Sequence, residues 1–297
     1  MVEPKAPTLD QIAVFLAIVE TGSFAAAGRK LGRATSVISY AISNLESQLG
    51  VSLFVRAGTA RPKLTEAGRA ILSDSRGLAI ALDGLLAKAR GLTQGLEAEV
   101  SLVVDVMLPA CLVVEALGEF SSRFPTVALR LRVEALGAVT QAVVEGVAAF
   151  GISGPLELAS DLLARGPAGS VTMIPVAAPG HPLAQMPGVI SASTARDHIQ
   201  LVLTDRSQLT ADRDFGVLAV KSWRLADLGA KHALLVAGLG WGNMPEPMVN
   251  EDIKRGRLVE LNIETPGDLV YRFHTVHRSD TPPGPAASWL MQRLARA

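Results

Sequence analysis

The chain has 297 residues, more than one average domain needs and comfortable for two or three, and 49% of them are hydrophobic, enough for real cores. Lysine plus arginine and aspartate plus glutamate each number 28, so the formal net charge is zero and total charge gives no argument for a nucleic-acid partner. The single Cys111 excludes an intrachain disulfide and fits a reducing compartment. No apolar run reaches the roughly 18–20 residues a membrane span requires: Ser101–Phe120 is interrupted by Asp105, Glu115 and Glu119. The apolar stretch Ile12–Val19 has neither a basic leader nor a cleavage site, so it reads as a helix core and not as a signal peptide. A cytoplasmic protein is expected.

The distribution of charge is more informative than its total. Residues 1–70 carry eight basic side chains (Lys5, Arg29, Lys30, Arg33, Arg56, Arg61, Lys63, Arg69) against five acidic ones (Glu3, Asp10, Glu20, Glu46, Glu66), an excess of three that the remainder cancels. Such asymmetry points, modestly, to nucleic-acid contact at the N-terminal end.

Along the chain, Ile12, Phe15, Leu16 and Val19 recur at helical spacing, and Thr21-Gly22 stops that helix. Ser23 caps a second helix through Leu31, and Gly32 permits a sharp turn. A third helix is predicted from about Thr35 to Leu49, with Val37, Ile38, Ala41, Ile42, Leu45 and Leu49 inward and Thr35, Ser36, Ser39, Tyr40, Ser43 and Asn44 outward. This is the pattern of a helix-turn-helix whose second helix offers short hydrogen-bonding side chains to a major groove. A small three-helix module with a merely solvated polar face has the same pattern. Beyond Gly50, Val51–Arg56 and Arg61–Leu64 read as the two strands of a wing whose Arg56, Arg61 and Lys63 lie along a phosphate backbone.

Thr65 then caps a long helix reaching Leu92. Ile71, Ser75, Leu78, Leu82, Leu85, Ala89 and Leu92 fall at alternating steps of four and three, a seam that needs a partner helix. Dimerisation suits a helix-turn-helix, and packing on the C-terminal half of the same chain is the alternative.

From Val100 the order is β-α-β-α-β: strands Val100–Val106, Val127–Glu134 and Ala149–Ser153, with helices Pro109–Phe124 and Ala138–Gly146. A second group comprises strands Thr172–Ala178, Leu201–Thr204 and Val217–Val220 and helices Leu225–Gly238 and Met248–Arg255. Strands Leu258–Leu261 and Tyr271–His277 and the helix Pro285–Arg296 close it. Two α/β lobes arranged this way place a cleft at the carboxyl ends of their strands.

The run Leu9-Asp10-Gln11, Phe15, Gly22-Ser23-Phe24-Ala25-Ala26-Ala27, Leu31, Val37-Ile38-Ser39, Ile42, Leu45-Glu46, Leu49-Gly50, Leu53-Phe54-Val55-Arg56 and Leu64-Thr65-Glu66-Ala67-Gly68 resembles the LysR-type regulators over about sixty residues. The C-terminal half is similar to their effector domain through His181-Pro182-Leu183, Ala237-Gly238-Leu239-Gly240, Met244-Pro245 and Gly256-Arg257-Leu258-Val259. The resemblance implies a winged helix-turn-helix (residues 1–66), a dimerising linker helix (67–96) and a two-lobed effector domain like a periplasmic binding protein (97–297). Lobe one would span about 97–171 and 273–297, and lobe two about 172–272. It implies a sequence-specific transcription regulator modulated by a small molecule and assembled as a homodimer or a dimer of dimers. It further implies that the chain is not an enzyme and needs no cofactor, with double-stranded DNA as its partner and RNA polymerase as a candidate second one. DNA contacts are then expected from Ser23, Arg33, Thr35, Ser36, Ser39, Tyr40, Ser43, Asn44, Arg56, Arg61 and Lys63. Where relatives commonly carry a glutamine entering the recognition helix, this chain has Ala34-Thr35-Ser36. The operator is therefore not readable by analogy.

Topology puts Met107, Leu108, Leu136 and Ser153 at the cleft from one lobe, and Thr204 and Trp241 to Asn243 from the other. Core packing is the competing role for Met107, Leu108 and Trp241. Many relatives hold a carboxylate with a serine or threonine at the position taken here by Met107-Leu108, so acidic and apolar effectors stand as equal candidates. His181 is expected in an exposed loop, and Cys111 as a small buried residue in the first turn of a helix. The five histidines form no metal-ligand pattern, and no Gly-x-Ser-x-Gly elbow or phosphate loop supports an enzyme fused to a DNA-binding head. An architectural DNA binder without an effector is the third reading.

Overall fold

A computed structural model of the protein describes residues 6–55, 62–93, 95–156, 162–205, 207–210, 215–264 and 269–296. The chain forms two compact units, Met1–Arg90 and Gly91–Ala297.

The first unit begins with α1 (Leu9–Thr21), closed by a capping box: Gln11 N–H donates to the Thr8 hydroxyl at 3.2 Å, and Thr8 N–H to the Gln11 side chain at 2.7 Å. Helix α2 (Phe24–Leu31) is capped by Ser23, whose Oγ accepts from Ala26 N–H at 3.1 Å. Helix α3 (Thr35–Leu49) buries Ile38, Ile42 and Leu45. Phe54 closes the core, edge-on to Phe15 and Phe24 with ring centres 5.6 and 5.7 Å away. Val37, expected inward, is 47% exposed. It precedes Ile38 by one helical step of about 100°, which turns it out of the buried stripe.

Among the described residues the wing consists of a bridge between Phe54 and Leu64 and a Val55 N–H bond to Lys63 O at 2.8 Å. The Glu46 carboxylate braces it from α3, accepting from Leu53 N–H at 2.6 Å and Phe54 N–H at 3.2 Å. Arg56 and Arg61 lie outside the described residues. Helix α4 (Glu66–Thr93) starts at Thr65, whose hydroxyl accepts from Gly68 N–H at 2.9 Å and donates to Ser52 O at 2.6 Å. Among the described residues no single helix is long and apolar enough to cross a membrane.

In the second unit, β1 (Glu99–Asp105), α5 (Ala110–Arg123), β2 (Ala128–Glu134), α6 (Gly137–Val144) and β3 (Phe150–Ser153) form the expected parallel arrangement, with β1 between β2 and β3. Strand β4 (Leu163–Ala177) starts nine residues before its predicted beginning. Its first half contains Gly166, Pro167 and Gly169, residues that spoil a strand signature, yet it pairs with the late strand across lobe one. Then come α7 (Ala192–Arg196), β5 (Gln200–Leu203), β6 (Ser222–Leu225), α8 (Leu228–Val236), β7 (Trp241–Pro245), α9 (Glu246–Lys254), β8 (Val259–Glu260), β9 (Val270–Arg278) and α10 (Pro285–Ala295). Val217–Val220 is not a strand. The N–H groups of Leu218 and Ala219 instead donate to the buried Gln200 side chain, and pairing with β5 starts at Ser222.

The strand order β2-β1-β3-β9-β4-β7-β5-β6 runs through both lobes, joined by the antiparallel pair β4 and β9. Their register shifts between Pro167 and Ser170, where the ribbon passes from one lobe to the other. His181 is buried, not exposed: its Nδ1 accepts from Leu183 N–H at 3.2 Å and its ring lies 5.5 Å from that of His198. Cys111 is exposed, not buried, because the first turn of α5 presents it to solvent while Ala116 and Phe120 take the inner face.

Two glycines of α4 should respond oppositely to alanine. A Cβ on Gly68 overlaps Leu53 O, whereas one on Gly77 meets nothing within 4 Å. Gly68→Ala should destabilise the N-terminal unit by about 1–3 kcal/mol, and Gly77→Ala should stabilise the helix by about 0.5–1 kcal/mol. Melting curves of the two variants with changes of the same sign would refute this.

Candidate functional site

The first candidate surface is the outer side of α3. Thr35, Ser36, Ser39, Tyr40 and Ser43 are all exposed, Tyr40 by 69%, and Asn44 is half-buried beside them. The apolar inner stripe fixes which way these side chains point. Lys63, on the wing, is also exposed. Two other predicted contacts have roles within the fold. Ser23 is the cap of α2, and the Arg33 guanidinium donates two bonds to the Asp10 carboxylate at 2.7 and 2.8 Å. That hydrogen bonding holds Asp10 below the usual carboxylate range. At 38% and 55% side-chain exposure the pair adds little stability, but it fixes the loop between α2 and α3.

The second candidate is a cavity of about 220 Å³ between the lobes of the C-terminal unit. Lobe one contributes Met107, Leu136 and Pro155; lobe two contributes residues Gln200–Leu203, Lys231 and Asn243; the crossing strands contribute Met173 and Tyr271. Met107, Leu136 and Asn243 are thus brought together as expected from topology. The other four predicted cleft residues do not line this cavity. Ser153 is fully buried and its hydroxyl reaches His274 O at 3.4 Å. Trp241 is fully buried in a separate cluster with Ala177, Leu183 and Leu261, its indole donating to Ala195 O at 3.2 Å. Trp241 and Asn243 share a face of β7, and the two differ in their place along the strand: Trp241 opens it, beside that cluster, while Asn243 lies two residues further on at the cavity. Leu108 lines an apolar groove of about 520 Å³ and Thr204 a recess of about 130 Å³, each walled by residues of both lobes, so these two stand between the lobes as expected but outside the first cavity.

Asp105, in the sequence only a charge interrupting an apolar run, organises the floor of the cleft. It is 1% exposed and accepts from Met107 N–H at 2.9 Å, Leu136 N–H at 3.2 Å, the Tyr271 hydroxyl at 2.8 Å and the Gly154 N–H. Burial pushes its pKa up to about 6, against the opposing pull of these donors. Burial and the neighbouring Asp105 charge push the Tyr271 phenol far above its ordinary range, so it stays a hydrogen-bond donor. Gly154 admits this contact because any Cβ there would run into the Tyr271 ring and hydroxyl. Leu136 has φ +47°, the one non-glycine with positive φ among the described residues, and this turn aims its N–H at Asp105. Such a conformation costs on the order of 1–3 kcal/mol and persists where its surroundings demand it.

A second carboxylate latches the lobes. Asp205, after β5 in lobe two, accepts from Ala138 N–H at 3.0 Å in the first turn of α6 in lobe one. Its other partners are the hydroxyls of Ser207 and Thr210. The free N–H groups and positive end of a helix suit such an anion. Gly137 allows the approach, since a Cβ there would meet the Asp205 carboxylate at 2.9 Å.

Lys231 is the third charged group that went unnoticed in the sequence. It lies on α8, 3% exposed, and its Nζ donates to Asn243 O at 2.6 Å. Burial alone lowers its pKa to about 8. The signal in the sequence is a lysine on the buried side of a mostly apolar helix, Leu228–Val236.

Comparison with known proteins identifies both units. The model for "Bacterial regulatory helix-turn-helix protein, lysR family" matches residues 9–69, and that for "LysR substrate binding domain" matches residues 93–297. The probable HTH-type transcriptional regulator YhaJ of Escherichia coli K12 is 31% identical over 100% of this chain and 98% of its own length. Among solved structures, the Corynebacterium glutamicum OxyR C206 mutant aligns with a TM-score of 0.55 at 22% identity, covering 98% of this chain and 93% of that one. Full-length LysG of the same organism, with bound effector Arg, aligns with a TM-score of 0.52 at 18% identity over 97% of each chain. A helix-turn-helix head and a two-lobed sensor half, each matched along nearly its whole extent, make this chain a member of the LysR family of transcription regulators.

Proposed function

We propose that residues 1–66 read DNA through α3 and the wing, that α4 pairs two chains, and that the cavity between the lobes of residues 97–297 binds the effector. The observation that carries the DNA reading is the row Thr35, Ser36, Ser39, Tyr40 and Ser43, exposed together on a helix whose other side is locked into the core. Arg56, Arg61 and Lys63 supply phosphate contacts that orient the helix without reading sequence. Ser23, Arg33 and Asn44 border the same surface. The protein acts by binding in the cytoplasm, with RNA polymerase as the machinery its position on DNA affects.

Pairing through α4 is supported by its apolar surface: Leu78, Leu85 and Leu92 on the seam are 49%, 64% and 50% exposed. Two copies joined there present two recognition helices to two half-sites. The sensor half supports further assembly, because its two edge strands carry apolar side chains in the open, Leu129, Leu131 and Val133 on β2 and Trp223 on β6. A dimer of dimers uses both kinds of surface.

Effector binding would act on the lobe arrangement that Asp205 latches, shifting an equilibrium between two such arrangements by its preference for one. The test of the whole reading is a footprint on the DNA upstream of the protein's own gene, with random DNA as competitor. A protected dyad spanning several turns is expected. Protection no stronger than on random DNA would defeat it.

Three outcomes follow from these surfaces. Ser36→Ala and Tyr40→Ala should each weaken specific binding by about 1–3 kcal/mol while leaving non-specific affinity and melting temperature unchanged; equal losses on both kinds of DNA would contradict base reading. Leu85→Glu should shift sedimentation toward monomer and abolish the dyad footprint; an unchanged sedimentation coefficient would remove α4 from the interface. For Asp105, a folded pKa of about 6 against 3.8 unfolded means the native state binds the extra proton between those values. Its contribution to stability is therefore full below pH 4 and falls by up to about 3 kcal/mol as pH rises to 6. The difference in melting temperature between wild type and Asp105→Asn should decline over pH 4–6 and level off above. A difference that stays constant over that range would disprove it.

A further inference from the structure

Lys231 is a buried ammonium on the wall of a cavity, and among the described residues its only hydrogen-bond partner is a neutral carbonyl, Asn243 O at 2.6 Å. No described carboxylate lies within 4 Å of it, the one cause of its lowered pKa being burial with no charge partner. An ammonium has three donors, and a buried cation left with one neutral acceptor is costly unless an anion joins it. The fold nevertheless makes room for it. Gly242 lies against the lysine stem, where a Cβ would sit 3.2 Å from its Cε, and α8 is anchored next to it by His232, whose Nε2 is 2.7 Å from Asp252 Oδ2.

The other polar pole of the cleft is already filled. The main-chain N–H groups of Met107, Leu136 and Gly154, at the ends of the lobe-one strands, are spent on Asp105. With Tyr271 as a fourth donor, the carboxylate's roughly four acceptor sites are saturated. An incoming acid group finds no donors there and meets a like charge. The remaining wall is largely apolar: Met107, Leu136, Met173, Leu203 and Phe215. Asn243, which also lines the cavity, has a buried Oδ1 with no hydrogen-bond partner, an acceptor facing the same space.

We propose that the cleft takes a small monocarboxylic acid with a compact apolar body, its carboxylate seated on the Lys231 ammonium. This rests on the reading of the cavity as the effector site and specifies its ligand. One buried cation matches one negative charge, which sets a monoanion apart from a phosphate or a dicarboxylate. The unpartnered Asn243 Oδ1 adds a place for a donor on the ligand body.

The test is isothermal titration of the full-length protein with benzoate, phenylacetate and cinnamate, each paired with its primary amide. The proteins are wild type, Lys231→Met, and Lys231→Gln, which keeps a donor for Asn243 O without the charge and serves if the first variant fails to fold. In wild type at least one acid should bind about tenfold or more tighter than its amide, and in the variants that ratio should fall to within about twofold. Lys231→Met should melt at or above the wild-type temperature, since a desolvated charge is removed. Amides binding as well as acids, an acid preference that survives both variants, or no acid bound at about 10 mM would each overturn the proposal. Footprinting of the same preparations separates the two readings: an intact footprint without acid preference rejects the ligand class alone, and a missing footprint rejects the regulator reading.

Discussion

The Asp105 carboxylate is the point on which the geometry of the sensor half turns. It ends β1, and its four hydrogen bonds reach the segment leading into α5, the turn before α6, the segment after β3, and Tyr271 on β9. Burying a carboxylate is unfavourable in itself, as its raised pKa records. The donors offset most of that cost only while all four segments hold their places. The strained Leu136 turn is one consequence: its positive φ is tolerated because it completes the set. The same arrangement that gives lobe one its cleft-facing edge also withdraws its main-chain donors from any ligand, which leaves lobe two to supply the polar contact.

The two halves of the chain rest on different physics. In the N-terminal unit an apolar stripe on each helix does the positioning, and the polar groups are either caps or outward-facing side chains. In the C-terminal unit three ionisable groups, the buried Asp105 and Lys231 and the half-buried Asp205, govern the space between the lobes. Two of them are satisfied by the fold itself, and the third is satisfied incompletely. A binding site is reasonably sought at the incomplete one.

Legibility in the sequence followed this division. Helix positions, caps and the order of strands could be read because apolar periodicity and turn residues are local signals. The three glycines Gly22, Gly32 and Gly50 mark the ends of α1, α2 and α3 with the left-handed conformation expected of them. Val37 is misleading in the sequence because it adjoins the buried Ile38 in one apolar run, although a helical step of about 100° separates their directions. The early half of β4 was missed because its pairing with β9 joins residues more than a hundred positions apart. Asp105 and Lys231 were passed over for the same reason: a single charge in an apolar segment looks like an interruption until the fold shows what converges on it. For Trp241 and Ser153 strand order is too coarse a guide, since it gives neither the face a residue occupies nor how near the cavity it lies along the strand: Trp241 shares a face with Asn243 and still lies outside the cavity.

The paired strands β4 and β9 are the only continuous backbone ribbon crossing between the lobes among the described residues, and their register slips where the crossing occurs. A two-stranded ribbon is stiff along its length and soft in torsion, because stretching breaks its cross-strand bonds while twisting only retunes them. Such a link behaves as a torsion bar. Motion between the lobes would then emerge as rotation about the strand axis, with little change in separation, and the bulge at Pro167–Ser170 sets where the bar yields. A stiffer ribbon there would make the sensor less responsive without touching a single atom of the cleft.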